Sequence, residues 1–196
     1  MLNVGIFLFD DVELLDFAGP YEVFSVTAEL NDYQLFKAFT ITRNGNAIKA
    51  VNGLQVIPEY SFENHPPVDI LIVPGGVGTK VEMTQPEVLK WLWQNYETSK
   101  ITFSVCSGAR LLGKMGLLDN RESITHHEVI SHLQEIAPKT IINRDQRFVD
   151  NGKVMTSSGI SAGIDLSLHV VEKLCGIEVK NKTMVYMEYG DWEQLQ

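Results

Sequence analysis

The sequence is poor in the residue types that build disulfide-linked, zinc-binding or membrane-spanning proteins. Its 196 residues include two cysteines, Cys106 and Cys175, which are too few for a disulfide framework and lack the paired spacing of a zinc site. No apolar run approaches the roughly 20 residues that a helix needs to cross a bilayer. The apolar run Val4 to Phe9 is short and has no basic leader, so it does not resemble a secretory signal. We therefore expect a cytoplasmic protein that does not bind membranes.

Positive charge is scarce as well. The chain has 16 Lys and Arg against 25 Asp and Glu, which gives a formal net charge of -9 at pH 7. Binding to the phosphate backbone of a nucleic acid needs a basic surface, so we expect no nucleic-acid partner.

No motif for a metal or a cofactor is present either. The adjacent pair His126 and His127 is expected to point apart, as neighbouring side chains do on most backbones, and it belongs to no metal-binding cluster. The glycines Gly75, Gly76 and Gly78 do not have the spacing of a dinucleotide fingerprint, and no suitable helix start directly follows them. We expect neither a metal nor a cofactor.

Apolar runs of strand length alternate with helical patterns along the chain. The predicted strands are 3–9, 35–41, 69–73 and 101–105, with shorter ones at 47–50, 54–57, 141–142, 147–149 and 153–155. The predicted helices are 20–26, 85–93, 109–112, 128–136, 157–175 and 178–188. Continuous apolar strands are typical of a parallel sheet that is covered on both faces. We predict a single domain over residues 1–196, of the doubly wound α/β class, with a mostly parallel sheet flanked by helices.

The stretch from Lys100 to Met115 combines a strand, a sharp turn and a helix around Cys106. Such a turn exposes its central residue at the carboxyl edge of the sheet and needs small neighbours, here Ser104 and Gly108. A thiol at a helix N-terminus meets a partial positive charge, which favours the nucleophilic thiolate. Buried cysteines are more often inert packing residues, which is our interpretation of Cys175. For Cys106 the pattern indicates a nucleophile.

Two further segments are predicted to end at the same edge of the sheet. Asp16 lies before the helix that is expected to begin near Pro20, and its alternative role is that of a solvated loop carboxylate or a helix cap. Gly75 and Gly76 follow strand 69–73 and allow backbone amides to approach a ligand, although a plain tight turn fits them equally well. Because ligands of parallel sheets bind outside the carboxyl ends of the strands, we expect these segments to form one site with Cys106.

With these segments in place, the chain resembles the ThiJ/PfpI superfamily, which is related in fold to the class I glutamine amidotransferases and to flavodoxin-like proteins. Within the superfamily it is most similar to the isonitrile hydratase-like branch. The matching segments are 15–24, 73–76, 104–109, 125–126 and 156–165. The resemblance implies that Cys106 is the nucleophile of the elbow and that Asp16 is the acid beside its sulfur. It also implies that the amides near Gly76 and Ser107 stabilise a developing anion.

The residue after the cysteine separates the branches of the superfamily. In isonitrile hydratase it is typically a threonine whose hydroxyl assists, and Ser107 keeps that hydroxyl without the methyl group that restricts its rotamers. In the protease-like branch it is a histidine, so the resemblance argues against a protease. A cap for the following helix is the alternative role of Ser107. His126 matches a histidine that is common in these sequences, and His127 replaces a usual tryptophan. Both are either pocket residues or structural ones.

The resemblance implies a lyase that hydrates an isonitrile to an N-substituted formamide through a Cys106 thioimidate, with Asp16 as acid and base. The alternatives are a cysteine redox sensor, a glyoxalase-like enzyme, and a ligand-sensing domain without catalysis of its own. Similar domains precede a DNA-binding region in some regulators, but no such region follows here up to Gln196. The expected partners are a small-molecule substrate and a second copy of the chain in a homodimer.

Overall fold

The structure, a computed structural model, describes residues 1–195 and contains eleven strands and seven helices in that range. The strands are β1 (Leu2–Phe7), β2 (Phe36–Thr42), β3 (Ile48–Lys49), β4 (Gln55–Val56), β5 (Tyr60–Ser61), β6 (Ile70–Val73), β7 (Ile101–Ser104), β8 (Glu122–Ser123), β9 (Ile141–Ile142), β10 (Phe148–Asn151) and β11 (Val154–Ser157). The helices are α1 (Leu14–Glu29), α2 (Thr79–Glu82), α3 (Pro86–Thr98), α4 (Ala109–Lys114), α5 (Ile130–Ile136), α6 (Ala162–Cys175) and α7 (Ile177–Tyr186).

Seven of the strands form one sheet in the order β10-β11-β7-β6-β1-β2-β5. All neighbours run parallel except β10, which pairs antiparallel with β11 as a hairpin. The central strands are buried because their apolar side chains face helices on both sides, and Val4, Ile6 and Ile72 are 0% exposed. The predicted α/β class with a mostly parallel sheet is confirmed, and the expected short pair β3–β4 is antiparallel.

The order of the strands places a crevice beside β1. The chain leaves β1 for β2 on one side, and it later builds β6 and β7 on the other side. At this switch point the connections diverge, which opens space at the carboxyl edge of an α/β sheet. The register pairs Ile6 with Ile72 and Val73 with Ser104, so β6 and β7 end next to each other. The loops after β1, β6 and β7 therefore meet at one place.

Helix α1 begins earlier than its sequence indicates. The prediction placed the start near Pro20, but α1 starts at Leu14, and Asp16 lies in its first turn. A proline within a helix lacks an N–H donor and crowds the carbonyl four residues before it. The helix nevertheless buries Phe17 on one side of the proline and Phe24 on the other, and this packing outweighs the local preference.

A second difference concerns the glycine loop after β6. The sequence indicated no helix start there, whereas the four-residue helix α2 begins at Thr79, directly after Gly78. The Thr79 hydroxyl donates a 2.7 Å hydrogen bond to the Gly76 carbonyl, and this local bond closes the turn that starts the helix.

Along residues 1–195, no helix has the length and apolar character that a crossing of a bilayer requires.

Candidate active site

Cys106 occupies the turn between β7 and α4 with a strained backbone. Its φ of 54° lies in the left-handed region, which costs a residue with a side chain on the order of 1–3 kcal/mol. Two hydrogen bonds hold it there: the Cys106 N–H donates to the Ser158 carbonyl at 3.1 Å, and the Thr125 hydroxyl donates to the Cys106 carbonyl at 2.7 Å. A Cβ at Gly108 would collide with the Val73 carbonyl, which explains the small residue there. The predicted strand-to-helix elbow at Cys106 is confirmed.

Asp16 lies fully buried beside the elbow. The Gly75 N–H donates a 2.8 Å hydrogen bond to Asp16 Oδ2, whereas Oδ1 has no partner at good geometry among the described residues. Burial raises the pKa of this carboxyl from 3.8 to about 7, because a charged group is poorly solvated there. The Gly75 N–H opposes that rise, the Glu13 charge adds to it, and the Cys106 thiol lowers the pKa slightly. The solvated-carboxylate alternative for Asp16 is therefore wrong.

The thiol of Cys106 does not have the lowered pKa that its position before a helix favoured. Burial, followed by the negative charge of Asp16, raises its pKa from 9.0 to about 12. The N–H groups of Ile160 and Ser107 and the Ser107 hydroxyl favour the thiolate but do not reverse the rise. Only 7% of Cys106 is exposed, so desolvation outweighs the partial charge of a short helix. Above about pH 7 the pair carries one negative charge, because Asp16 is ionised there while the Cys106 thiol keeps its proton.

The backbone amides of Gly75 and Gly76 bind the side chains of Asp16 and Ser107. While the Gly75 N–H binds Asp16, the Gly76 N–H donates to Ser107 Oγ at 2.8 Å, and that hydroxyl in turn donates to the Gly76 carbonyl at 3.1 Å. Both amides are thus occupied by protein side chains in this geometry. Their role in stabilising a substrate anion stays a prediction, and the amides that act on the Cys106 sulfur are those of Ser107 and Ile160.

Gly75→Ala is expected to damage the site directly. A Cβ at this position would lie 2.6 Å from Asp16 Oδ2, 2.6 Å from the Ser107 nitrogen and 2.7 Å from Ser107 Oγ, so both side chains must shift. Displacement of a reacting group by about 1 Å typically costs about 100-fold in rate. The measurement is the turnover number of the reaction proposed below. Gly116→Ala is the control, because its position has nothing within 4 Å of the added carbon, although its φ of 74° strains the turn. Equal turnover of Gly75→Ala and wild type would contradict the geometry.

His126 and His127 lie side by side, which contradicts the expectation that they point apart. Their ring centroids are 4.3 Å apart. The His126 Nδ1 accepts a 3.3 Å hydrogen bond from the Glu128 N–H, and its ring packs over Gly159, while the His127 side chain is 80% exposed. Among residues 1–195, no three His, Cys, Asp or Glu side chains cluster as metal ligands would.

A pocket of about 570 Å³ adjoins the elbow. Its walls are residues 124–127, 130, 143, 144, 146 and 158–161. Three of these residues, Thr125, Ser158 and Ile160, also act on Cys106 through their hydroxyl, carbonyl and amide groups. Sequence patterns alone do not indicate these contacts. The only signal was the run of small residues 157–163, which allows a close approach of the backbone.

The comparison with family models agrees with this geometry. The model of the DJ-1/PfpI family matches residues 3–173. The chain belongs to the DJ-1/PfpI family. Strand, elbow and glycine loop all lie within the matched segment, and the resemblance to the ThiJ/PfpI superfamily is confirmed.

Relatives within the DJ-1/PfpI family differ in their described functions. The chain is 30% identical over 192 residues to the isonitrile hydratase of Pseudomonas putida, covering 96% of this chain and 79% of that protein. It is 29% identical over 177 residues to the HTH-type transcriptional regulator GbdR of Pseudomonas aeruginosa, covering 90% of this chain but 48% of the regulator. The family therefore includes both an enzyme and a regulator that is about twice as long.

A solved structure supports the fold. The crystal structure of a ThiJ/PfpI family protein from Pseudomonas syringae superposes with a TM-score of 0.85 at 23% identity, covering 96% of this chain and 75% of that one. At this level of identity, the similarity establishes the shared fold of the DJ-1/PfpI family.

Proposed function

We propose that the protein is a cysteine-dependent hydratase that converts an isonitrile into an N-substituted formamide. The observation that carries the proposal is the buried pair of Cys106 and Asp16, in which the Gly75 N–H binds the carboxyl of Asp16 and the Cys106 thiol acts on the pKa of that carboxyl. The similarity to an isonitrile hydratase over 96% of the chain supports the choice of substrate class.

The reaction begins with transfer of the thiol proton to ionised Asp16. The sulfur attacks the terminal carbon of the isonitrile, the S–C bond forms, and Asp16 returns the proton to that carbon, which gives a thioimidate. Water then adds to the same carbon while Asp16 takes one of its protons. The C–S bond breaks, the nitrogen and the sulfur each end with a proton, and the formamide leaves. The net change is the addition of one water to the isonitrile.

The pKa values of the pair suit these transfers. A general base works best when its pKa lies near the working pH, and burial raises the pKa of Asp16 to about 7. The Cys106 thiol, with its pKa raised to about 12, reacts only when a neighbour accepts its proton. The same raised pKa disfavours the redox-sensor alternative, because peroxide oxidises thiolates.

A screen of turnover tests the proposal. Simple alkyl isonitriles, methylglyoxal and primary amides are supplied separately to the purified protein, and the products are followed by NMR. Formamide that forms from isonitriles supports the proposal. Turnover of methylglyoxal without hydration of any isonitrile would replace it with the glyoxalase alternative, and no turnover of any substrate would favour a ligand-sensing role.

The lining of the adjoining pocket predicts a preference for anionic substrates. Arg144, His126 and His127 line it, and none of its lining residues within 1–195 is Asp or Glu, although acidic side chains outnumber basic ones in the chain. We expect an isonitrile that bears a carboxylate to have a kcat/KM about tenfold above its ammonium analogue. Arg144→Gln is expected to remove most of this preference. An equal preference in Arg144→Gln and wild type would show that the pocket does not select by charge.

A further inference from the structure

Arg110, the second residue of α4, is a buried cation without a carboxylate partner. It is 6% exposed, and among the described residues no Asp or Glu oxygen lies within 4.0 Å of its guanidinium. By contrast, Arg43 and Arg147 pair with carboxylates at 2.6 to 2.8 Å. A buried charge that lacks a counter-charge is costly.

The guanidinium connects to the active site through a chain of hydrogen bonds. Arg110 Nη1 donates to the Thr79 hydroxyl at 2.9 Å, and that hydroxyl donates to the Gly76 carbonyl at 2.7 Å. The Gly76 N–H then holds Ser107 Oγ at 2.8 Å. One relay thus fixes the glycine loop, and with it the hydroxyl that acts on Cys106.

The other side of the guanidinium contacts a neutral acceptor. Arg110 Nε donates to His132 Nδ1 at 3.0 Å, which fixes the plane of the guanidinium and requires that this nitrogen of His132 carries no proton. Burial lowers the pKa of Arg110, and the charge of Cys106 opposes that fall without reversing it. The negative charge of Asp16 acts on the Cys106 thiol, and the charge of Glu13 acts in turn on Asp16. Among the described residues no carboxylate pairs with Arg110, and the charge that acts on it is that of Cys106 at the elbow.

We propose that Arg110 is a positioning residue of the active site, which fixes the Gly75–Gly76 loop through Thr79 and supplies the positive charge that stabilises the single negative charge of the Cys106 and Asp16 pair. This inference rests on the proposed role of Cys106 as a nucleophile, but not on an isonitrile as its substrate. It explains why a cation is buried where no carboxylate pairs with it.

Alkylation of Cys106 by iodoacetamide tests the inference without any isonitrile. The rate is measured from pH 5 to 9.5 in a Cys175→Ser background, so that only Cys106 reacts. Arg110→Met keeps an unbranched side chain but removes its guanidinium and its charge, Arg110→Lys keeps the charge, and Thr79→Val breaks the relay alone. Lys114→Met is the matched control, because it removes an exposed positive charge from the same helix.

The alkylation rate is expected to rise near pH 7, where Asp16 ionises and can accept the proton of the Cys106 thiol. In Arg110→Met this rise is expected to move upward by about one pH unit, since the loss of a nearby positive charge disfavours the ionisation of Asp16. Below the new midpoint the rate falls about tenfold. Arg110→Lys is expected to have the wild-type midpoint. Thr79→Val is expected to lower the plateau rate without moving the midpoint, and Lys114→Met is expected to change neither the plateau rate nor the midpoint. A purely structural Arg110 would leave the midpoint in place.

The inference is overturned if folded Arg110→Met has the wild-type profile, or if Lys114→Met shifts the profile equally. If Arg110→Met does not fold, the alkylation profiles of Arg110→Lys and Thr79→Val test the inference instead. A midpoint that moves upward in Arg110→Lys, or a wild-type plateau in Thr79→Val, overturns it. Absence of isonitrile turnover with the expected alkylation shifts would reject the proposed substrate while supporting the role of Arg110.

Discussion

Cys106→Ala is expected to abolish isonitrile hydration, with turnover falling about 10⁴-fold or more. Without the sulfur no thioimidate forms, and the remaining groups only position water near the isonitrile carbon. The measurement is formamide production followed by NMR. Intact mass after denaturing quench is expected to show an adduct of the isonitrile mass on wild type and none on the variant.

Cys175→Ser is the matched control, because Cys175 lies at the end of α6, away from the elbow, and is predicted to pack only. It is expected to keep wild-type turnover. The fold of Cys106→Ala is expected to persist, since the variant removes one sulfur from a site held by backbone hydrogen bonds to Ser158 and Thr125. Robust hydration by folded Cys106→Ala would rule out covalent catalysis by this residue.

Asp16→Asn is expected to lower turnover by about 10²- to 10⁴-fold, the usual contribution of a general acid or base. In wild type, activity is expected to rise as the pH increases through about 7, because Asp16 must be ionised to take the thiol proton. The amide cannot accept that proton, so the rise near pH 7 disappears in the variant. The measurement is kcat between pH 5 and 9. A wild-type pH profile in Asp16→Asn would exclude Asp16 as the base.

The same substitution is expected to increase stability at neutral pH. The pKa of Asp16 is raised from 3.8 to about 7 in the folded state, so the folded protein binds the extra proton. That stabilisation is complete below about pH 4, is lost as the pH rises to about 7, and stays absent above it. Relative to Asp16→Asn, wild type should lose on the order of 4 kcal/mol across this range. Urea unfolding of both proteins at pH 4.5, 6 and 8 measures it, and a pH-independent difference would contradict the shift.

The central sheet follows closely from the sequence. Strands β1, β6 and β7 are continuous apolar runs, and such runs have few places other than the centre of a covered parallel sheet. The hairpin between β10 and β11 follows from its turn residues at 150–152. Helix α1 does not follow, because its start depends on how Phe17 and Phe24 pack and not on the local preference of Pro20.

The active site divides in the same way. The sequence by itself determined the elbow around Cys106 and brought Asp16 and the glycine loop to its edge, because strands and turns depend mainly on short segments of the chain. Only the tertiary structure decided the direction of the pKa shift of Cys106, the contacts of Ile160 and the place of Arg110. These depend on desolvation and on groups distant in sequence. The pKa of a buried group depends on every group packed around it, whereas the conformation of a turn depends mainly on the residues of the turn.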